Sequence, residues 1–247
     1  MGTAIITGAG SGIGAATAKR LAATGWNVAL VGRRADLLNQ VAADIRKTGG
    51  RSLPLPFDLS ESETAKTVVD RTAENFGDVD ALVNNAAVIK VLQIADFTRD
   101  ILDEHWAVNI RAPFLLIQAA LPFLQKRGGS VVNISSSSGT LLRPGQSVYG
   151  MTKAALEYIT RSLAGELAQH KIRINALALG PVDTPIHKTW ATDLEAAYVW
   201  LAGQVPLGRI ASADEIARWI EILVSPVSNW MTGAVIPLDG GQVLDIA

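Results

Sequence analysis

Along this chain of 247 residues, short apolar runs alternate with longer segments whose apolar residues recur every three or four positions. The runs 2–7, 27–31, 51–57, 79–84, 129–135, 172–178 and 233–238 read as strands. The segments near 13–24, 36–48, 61–76, 100–126, 148–169 and 213–224 read as helices. Two of them open on a capping-box pattern, Ser60-x-x-Glu63 and Ser212-x-x-Glu215, in which hydroxyl and carboxylate satisfy free amides reciprocally. The strands are apolar almost throughout, so both sheet faces must be covered, which requires parallel strands joined by helices. Such crossovers are right-handed, and the topology that follows is a doubly wound open sheet. The expected fold class is α/β: a single doubly wound domain over residues 1–247, with a seven-stranded parallel sheet and helices on both faces. Ligands in such sheets bind beyond the carboxyl ends of the strands. Residues 182–211 contain no clear strand and are rich in turn residues at both ends. Segment 183–211 is therefore a candidate substrate lid.

Lys and Arg (22) balance Asp and Glu (23), leaving a formal charge of −1. Neither nucleic acid, whose phosphates require a basic excess, nor an anionic membrane surface is an expected partner. With no cysteine in the chain, disulfides, thiolate nucleophiles and thiolate metal sites are excluded. No apolar run approaches the ~20 residues of a membrane-spanning helix. A glycine-rich motif begins within the first ten residues, which leaves no room for a cleaved targeting segment. A cytoplasmic protein is the expectation. The sequon Asn133-Ile134-Ser135 lies in a strand-like run and reads as a chance match.

The first strand runs straight into Thr7-Gly8-Ala9-Gly10-Ser11-Gly12-Ile13-Gly14 and then an alanine-rich helix. Glycines there let the backbone turn sharply and approach a phosphate, while the helix N-terminus offers free N–H groups and a positive dipole end. Between the first strand and first helix of a βαβ unit, this is the dinucleotide-binding arrangement of a Rossmann-like fold. It puts Gly8, Ser11, Gly12, Ile13 and Gly14 at the cofactor. An acid that holds a ribose 2′-hydroxyl is expected about 20 residues on, at the end of strand two. That place reads Val31-Gly32-Arg33-Arg34. Guanidiniums pair bidentately with phosphate, so Arg33 and Arg34 favour the 2′-phosphate of NADP(H). NAD(H) is the alternative, because Ser11 adds no positive charge inside the turn.

Tyr149-Gly150-Met151-Thr152-Lys153 opens the helix after strand five. Tyr and Lys at i and i+4 share a helix face. A neighbouring ammonium favours the phenolate and is expected to lower the tyrosine pKa from about 10. A phenol so tuned acts as general acid toward a carbonyl oxygen, or as base toward an alcohol. Neither of the other tyrosines, Tyr158 and Tyr198, has a lysine four residues on.

Together these residues resemble the short-chain dehydrogenase/reductase family, over nearly the whole chain. Thr7–Gly14 is similar to the family's TGxxxGxG, with Gly8, Gly12 and Gly14 in its glycine places. The resemblance implies that Asp58 meets the adenine amino group, with the Leu59 backbone beside it. Asn84-Asn85-Ala86 is similar to the NNAG segment that closes strand four over the cofactor, which puts Asn85 and Ala86 against it. A catalytic tetrad is implied too: Asn109 holding a relay water, Ser136 bonding the substrate oxygen, Tyr149 as acid/base, and Lys153 on the nicotinamide ribose. Ser136 stands thirteen residues before Tyr149 in a run of four serines, with Ser138 as the fallback. Gly180-Pro181-Val182-Asp183-Thr184 resembles the segment after strand six, where the Val182 backbone and Thr184 hydroxyl would orient the nicotinamide amide. Ala87 replaces the final Gly of NNAG, and Leu179 replaces a Pro before Gly180.

The resemblance implies an NADP(H)-dependent oxidoreductase, a carbonyl reductase or alcohol dehydrogenase, moving hydride between nicotinamide and a carbonyl or secondary alcohol. The alternative is an NAD-dependent sugar- or polyol-type dehydrogenase. From another class, a non-catalytic dinucleotide-binding regulator is disfavoured by the presence of Tyr149 and Lys153. Segments 100–126 and 148–169 would pair with symmetry mates in a homotetramer, or in a homodimer. His105, His170 and His187 lack ligand spacing, so no metal is expected. Asp100, Asp103 and Glu104 gather at a helix start, where acids complement the dipole. Trp190, Tyr198 and Trp200 either line an apolar substrate pocket or pack on a neighbouring subunit. Arg143 reads as a surface charge, with a substrate carboxylate as its alternative partner.

Overall fold

The computed structural model describes residues 2–244. The sheet contains β1 (Thr3–Thr7), β2 (Asn27–Gly32), β3 (Arg51–Pro56), β4 (Ala81–Asn84), β5 (Ser130–Ser136), β6 (Arg173–Leu179) and β7 (Val235–Leu238). Its order is β3-β2-β1-β4-β5-β6-β7, and every neighbouring pair is parallel. From β1 the chain winds outward through β2 to β3, returns to β4 on the other side of β1, and winds outward again to β7. That reversal opens a crevice beyond the carboxyl ends of β1 and β4. Pro54 and Pro56 sit on the edge strand β3, where an outward-facing position needs no N–H for the ladder.

The strands are joined by α1 (Gly12–Ala23), α2 (Ala35–Lys47), α3 (Thr64–Phe76), α4 (Arg99–Trp106), α5 (Ala112–Arg127), α6 (Ser147–Leu167), α7 (Leu194–Gly203) and α8 (Ala213–Val224). The two-residue period of β1 divides the core. Ala4 and Ile6 pack with Leu21 of α1, Leu38 of α2 and Ile220 of α8 on one face. Ile5 packs with Val68 of α3, Leu116 of α5 and Leu167 of α6 on the other. Full burial of a side chain such as Leu116 contributes about 1.5–3 kcal/mol. This is the seven-stranded, doubly covered parallel sheet that the alternating pattern predicts.

Three local readings change. The Ser212 box forms, with Glu215 N donating to Ser212 Oγ at 3.2 Å and Ser212 N donating to Glu215 Oε2 at 2.8 Å. The Ser60 box does not: Ser60 N donates to Asp58 Oδ1 at 2.8 Å, and the helix starts only at Thr64. Asp58 therefore sets a turn where a helix start is expected. The long segment 100–126 contains a π-helical turn, Ala107–Arg111, between α4 and α5. Arg99–Arg127 is one 29-residue helix, long and apolar enough by length and composition to cross a membrane, contrary to the sequence expectation. It is a core helix, with Leu116, Ala120 and Leu124 buried against the sheet. Asn133 of the sequon is fully buried, donating to Thr160 Oγ1 and accepting from Asn84 Nδ2, both at 2.9 Å.

Candidate active site

A cleft of about 540 Å³ lies along the carboxyl ends of the strands. Its first end is made mostly of backbone. Thr7 Oγ1 accepts from Asn85 N and Ala86 N, each at 2.9 Å, and donates to Val83 O at 3.2 Å, so one hydroxyl ties β1 to the end of β4. Asn85 Nδ2 donates to Thr7 O at 2.8 Å and fixes the start of the turn. Gly8 has φ +66°, and a Cβ on Gly14 would run into the Gly8 carbonyl. Only glycine at 14 lets α1 start so close to the turn. Ser11, the residue before α1, makes no side-chain cap, which leaves the first N–H groups of the helix free toward the cleft. Arg33 and Arg34 follow β2, both exposed and lining the cleft. Arg34 Nη2 donates to Ser11 Oγ at 3.4 Å. Asp58 and Leu59 follow β3 on the same side. Free amides, closely approached backbone and two guanidiniums fit a dinucleotide carrying phosphates.

The second end is made of side chains from β5 and α6. The serine run is sorted by its hydrogen bonds. Ser135 Oγ donates to Glu157 Oε1 at 2.8 Å, Ser137 Oγ to Gln242 Oε1 at 2.9 Å, and Ser138 Oγ to Gln146 Oε1 at 2.8 Å. Ser136 Oγ instead accepts from Ser138 N at 3.1 Å, and among the described residues its proton has no acceptor other than the Tyr149 phenol. Geometry thus favours Ser136 over Ser138 as the hydroxyl free for a bound oxygen atom. Lys153 is buried, its Nζ donating to Ile134 O at 2.8 Å and lying 5.4 Å from the centre of the Tyr149 ring.

The electrostatics depart from the sequence expectation. Burial pushes the Tyr149 phenol up to about 12, against a smaller lowering pull from its contact with Ser136. Burial also brings Lys153 down to about 8, although the Glu157 carboxylate works against that loss. The expected depression of the tyrosine pKa is absent because burial of the phenol dominates, while the Lys153 ammonium is tied to the Ile134 carbonyl. Around neutral pH the phenol is a protonated acid.

Of the expected site residues, all line the cleft except Gly14 and Asn109. Gly14 packs behind the turn. Asn109 sits in the π-helical turn, 1% exposed, and uses both amide hydrogens, on Val88 O and Thr152 Oγ1, each at 3.0 Å. Its Oδ1 accepts from Val88 N at 2.9 Å. The side chain pins the segment after β4 to α6, and so supports Tyr149 from behind. Val182 and Thr184 line the cleft beneath a short 3-10 helix, Pro185–Thr189, and α7. Trp190 and Trp200 line it as well, which favours the pocket alternative for both; Tyr198 turns away and donates to Asp183 Oδ1 at 2.7 Å. His187 Nε2 donates to Val182 O at 2.8 Å. Sequence reasoning missed Glu157, although it lies four residues beyond Lys153 on the same helix face. It also took Arg143 for a surface charge, whereas Arg143 is half-buried in the cleft.

Known proteins resemble the chain along nearly all of its length. A family model described as enoyl-(acyl carrier protein) reductase matches residues 8–242. The 3-oxoacyl-[acyl-carrier-protein] reductase of Thermotoga maritima is 33% identical over 241 residues, 97% of each chain. A short-chain type dehydrogenase/reductase from Mycobacterium marinum superposes with a TM-score of 0.92 at 31% identity, over 98% of this chain and 95% of that one. The crystal structure of 3-ketoacyl-(acyl-carrier-protein) reductase from Brucella melitensis complexed with NADH gives 0.91 at 30% identity, over 98% of both.

Proposed function

The chain belongs to the short-chain dehydrogenase/reductase family, oxidoreductases acting on CH–OH and C=O groups, and on that premise we propose that it is an NADP(H)-dependent carbonyl reductase or alcohol dehydrogenase with Tyr149 as its acid/base. The observation that carries this is the meeting, in one cleft, of the glycine turn with Ser136, Tyr149 and Lys153. Bound nicotinamide supplies or takes up the hydride. The chain does the rest. Ser136 donates its free hydrogen to the substrate oxygen, where charge develops. Tyr149, protonated near neutral pH, gives its proton to the same atom in reduction and takes it back in oxidation. Lys153 keeps positive charge against the phenol and would hold the ribose of the bound cofactor. Asn109 acts through its hold on Val88 and Thr152. Residues 183–211 cover the nicotinamide end as a lid.

Arg33 and Arg34 support NADP(H), since the cleft lining offers no acid at the end of β2. The NADH in the Brucella relative favours the second reading, an NAD-dependent dehydrogenase of sugar or polyol type. We infer a cytoplasmic enzyme from the charge balance and the lack of cysteine. Trp106, Phe114, Met151 and Tyr158 are exposed along α4 to α6, and Trp219, Trp230 and Met231 near α8 and β7. Two such apolar faces fit a homotetramer, or a homodimer if one face pairs. The function is tested by initial rates over a panel of ketones, keto acids, keto esters, acyl thioesters and alcohols, each with NADPH and NADH. Turnover with NADPH exceeding that with NADH supports the proposal. Failure to bind either dinucleotide would overturn it.

A further inference from the structure

Arg143 is the charged side chain of the cleft to which this chemistry assigns no role. Its position is built. Arg143-Pro144-Gly145-Gln146 is a turn in which Gln146 N donates to Arg143 O at 3.0 Å. Proline fixes its second position and Gly145 takes φ +79° in its third, the pattern of a type II turn. The turn is anchored on both sides: Leu92 N donates to Gly145 O at 2.9 Å, and Ser138 Oγ donates to Gln146 Oε1 at 2.8 Å. Gln146 then leads into α6, on whose first turn Tyr149 stands. Guanidinium and phenol are thereby carried on one short, fixed stretch of chain.

Among the described residues no carboxylate pairs with Arg143. Burial lowers its pKa, and no described carboxylate pulls the other way. Among the described residues lining the cleft, the acid is Asp58, beyond β3, whereas the cations are Arg33, Arg34, Arg143 and Lys153. Arg33 and Arg34 stand at the cofactor end, and Lys153 is tied to Ile134 O. Arg143 follows β5, so its charge lies with the reacting groups rather than with the glycine turn. A guanidinium held partly out of water without a counter-ion is costly, and a bound anion offsets that cost. The lid presents an apolar wall to the same cleft through Ile186, Trp190, Trp200 and Leu201.

We infer that Arg143 is a specificity residue, and that the preferred substrates carry a carboxylate on an apolar body: keto acids and the corresponding hydroxy acids. This rests on the carbonyl–alcohol chemistry proposed for the same site. The planar fork of Arg143 pairs with the carboxylate, the two indoles face the apolar body, and the ketone oxygen meets Ser136 and Tyr149. A neutral ketone leaves the guanidinium unpaired.

Two readouts separate this assignment from the reaction beneath it. The first is kcat/KM for benzoylformate, benzoylacetate and 3-benzoylpropanoate against their methyl esters, with wild-type protein, Arg143→Gln and Arg143→Lys. At one spacing at least, wild type should prefer acid to ester by about 10- to 100-fold, the scale of a charge-assisted hydrogen bond. Arg143→Gln should erase that preference by raising KM for the acids far more than for the esters, and Arg143→Lys should restore part of it. The second readout needs no turnover: calorimetric binding of phenylacetate against phenylacetamide, with and without NADPH. Phenylacetate should bind wild type and lose affinity in Arg143→Gln, while phenylacetamide should not distinguish the two proteins. Equal handling of acids and esters by wild type, an equal fall of both in Arg143→Gln, or phenylacetate binding indifferent to Arg143→Gln would each overturn the assignment. Ester turnover in those cases leaves the carbonyl chemistry standing. Phenylacetate binding that depends on Arg143, with no carbonyl turned over, supports the anion site while counting against the reaction.

Discussion

At its two ends the cleft is made of different material. Around β1 and α1 the groups that face a ligand are main-chain amides, held by Thr7 and Asn85 and by glycines that no larger residue can replace. Around β5 and α6 they are side chains, and each is set by what surrounds it: Ser136 by the partners its neighbours take, Tyr149 by burial, Lys153 by burial, a carbonyl and the Glu157 carboxylate. Backbone chemistry leaves its mark in the sequence as glycine. Side-chain chemistry depends on contacts that only the fold brings together. The first end should therefore determine which dinucleotide is held, and the second what happens to the substrate.

Substitutions at the two ends should separate these effects. Ser136→Ala should lower kcat by about 10²- to 10³-fold, the usual cost of removing an oxyanion donor, while the dinucleotide Kd stays put. Steady-state kinetics together with a fluorescence titration of NADPH would check both halves. Arg33→Asp should do the reverse, shifting the NADPH/NADH preference toward NADH by about 10- to 100-fold, the scale of one charge-assisted bond, at a nearly constant kcat. An unchanged preference would remove Arg33 from cofactor selection.

The smallest expected effect is on pH. On the proposed chemistry, reduction uses the Tyr149 proton, which is retained up to about 12, and the Lys153 ammonium, which is lost near 8. The pH profile of kcat/KM for reduction should be level below 8 and fall above it. The fall should not follow stability. Lys153 has a folded pKa near 8, below its ordinary 10.5, so the unfolded chain binds more protons between these values. Burying that charge costs stability in full below pH 8, and the cost disappears as pH rises toward 10.5. A Tm that dropped together with the rate over pH 8–10 would contradict this assignment of the limb.

The same contrast decides what the sequence makes legible. Seven apolar runs and six amphipathic segments are enough for a doubly wound parallel sheet of seven strands, because a parallel sheet covered on both faces has few topologies. The helix α7, Leu194-Glu195-Ala196-Ala197-Tyr198-Val199-Trp200-Leu201-Ala202-Gly203, escapes such reading because it is apolar on nearly every side and has no polar stripe to mark a period. The π-helical turn at Asn109 is invisible for a related reason: one extra residue per turn scarcely changes an apolar pattern. At the site, the Tyr149 and Lys153 pair is legible from spacing, but the direction of the tyrosine pKa is not, since burial sets it. Arg143 reads as a surface charge because nothing in Leu141-Leu142-Arg143 says that the following turn folds it into a cleft.

The most direct test takes wild type and Tyr149→Phe side by side, measuring NADPH affinity by titration and turnover on the same carbonyl. Loss of the acid should lower kcat by about 10²- to 10⁴-fold, the range for a general acid–base residue. NADPH affinity should remain within about twofold, a difference well under 1.4 kcal/mol. Turnover that survives in Tyr149→Phe would show that the phenol is not the acid, and a matching loss of NADPH binding would show that the two ends of the cleft do not divide the work.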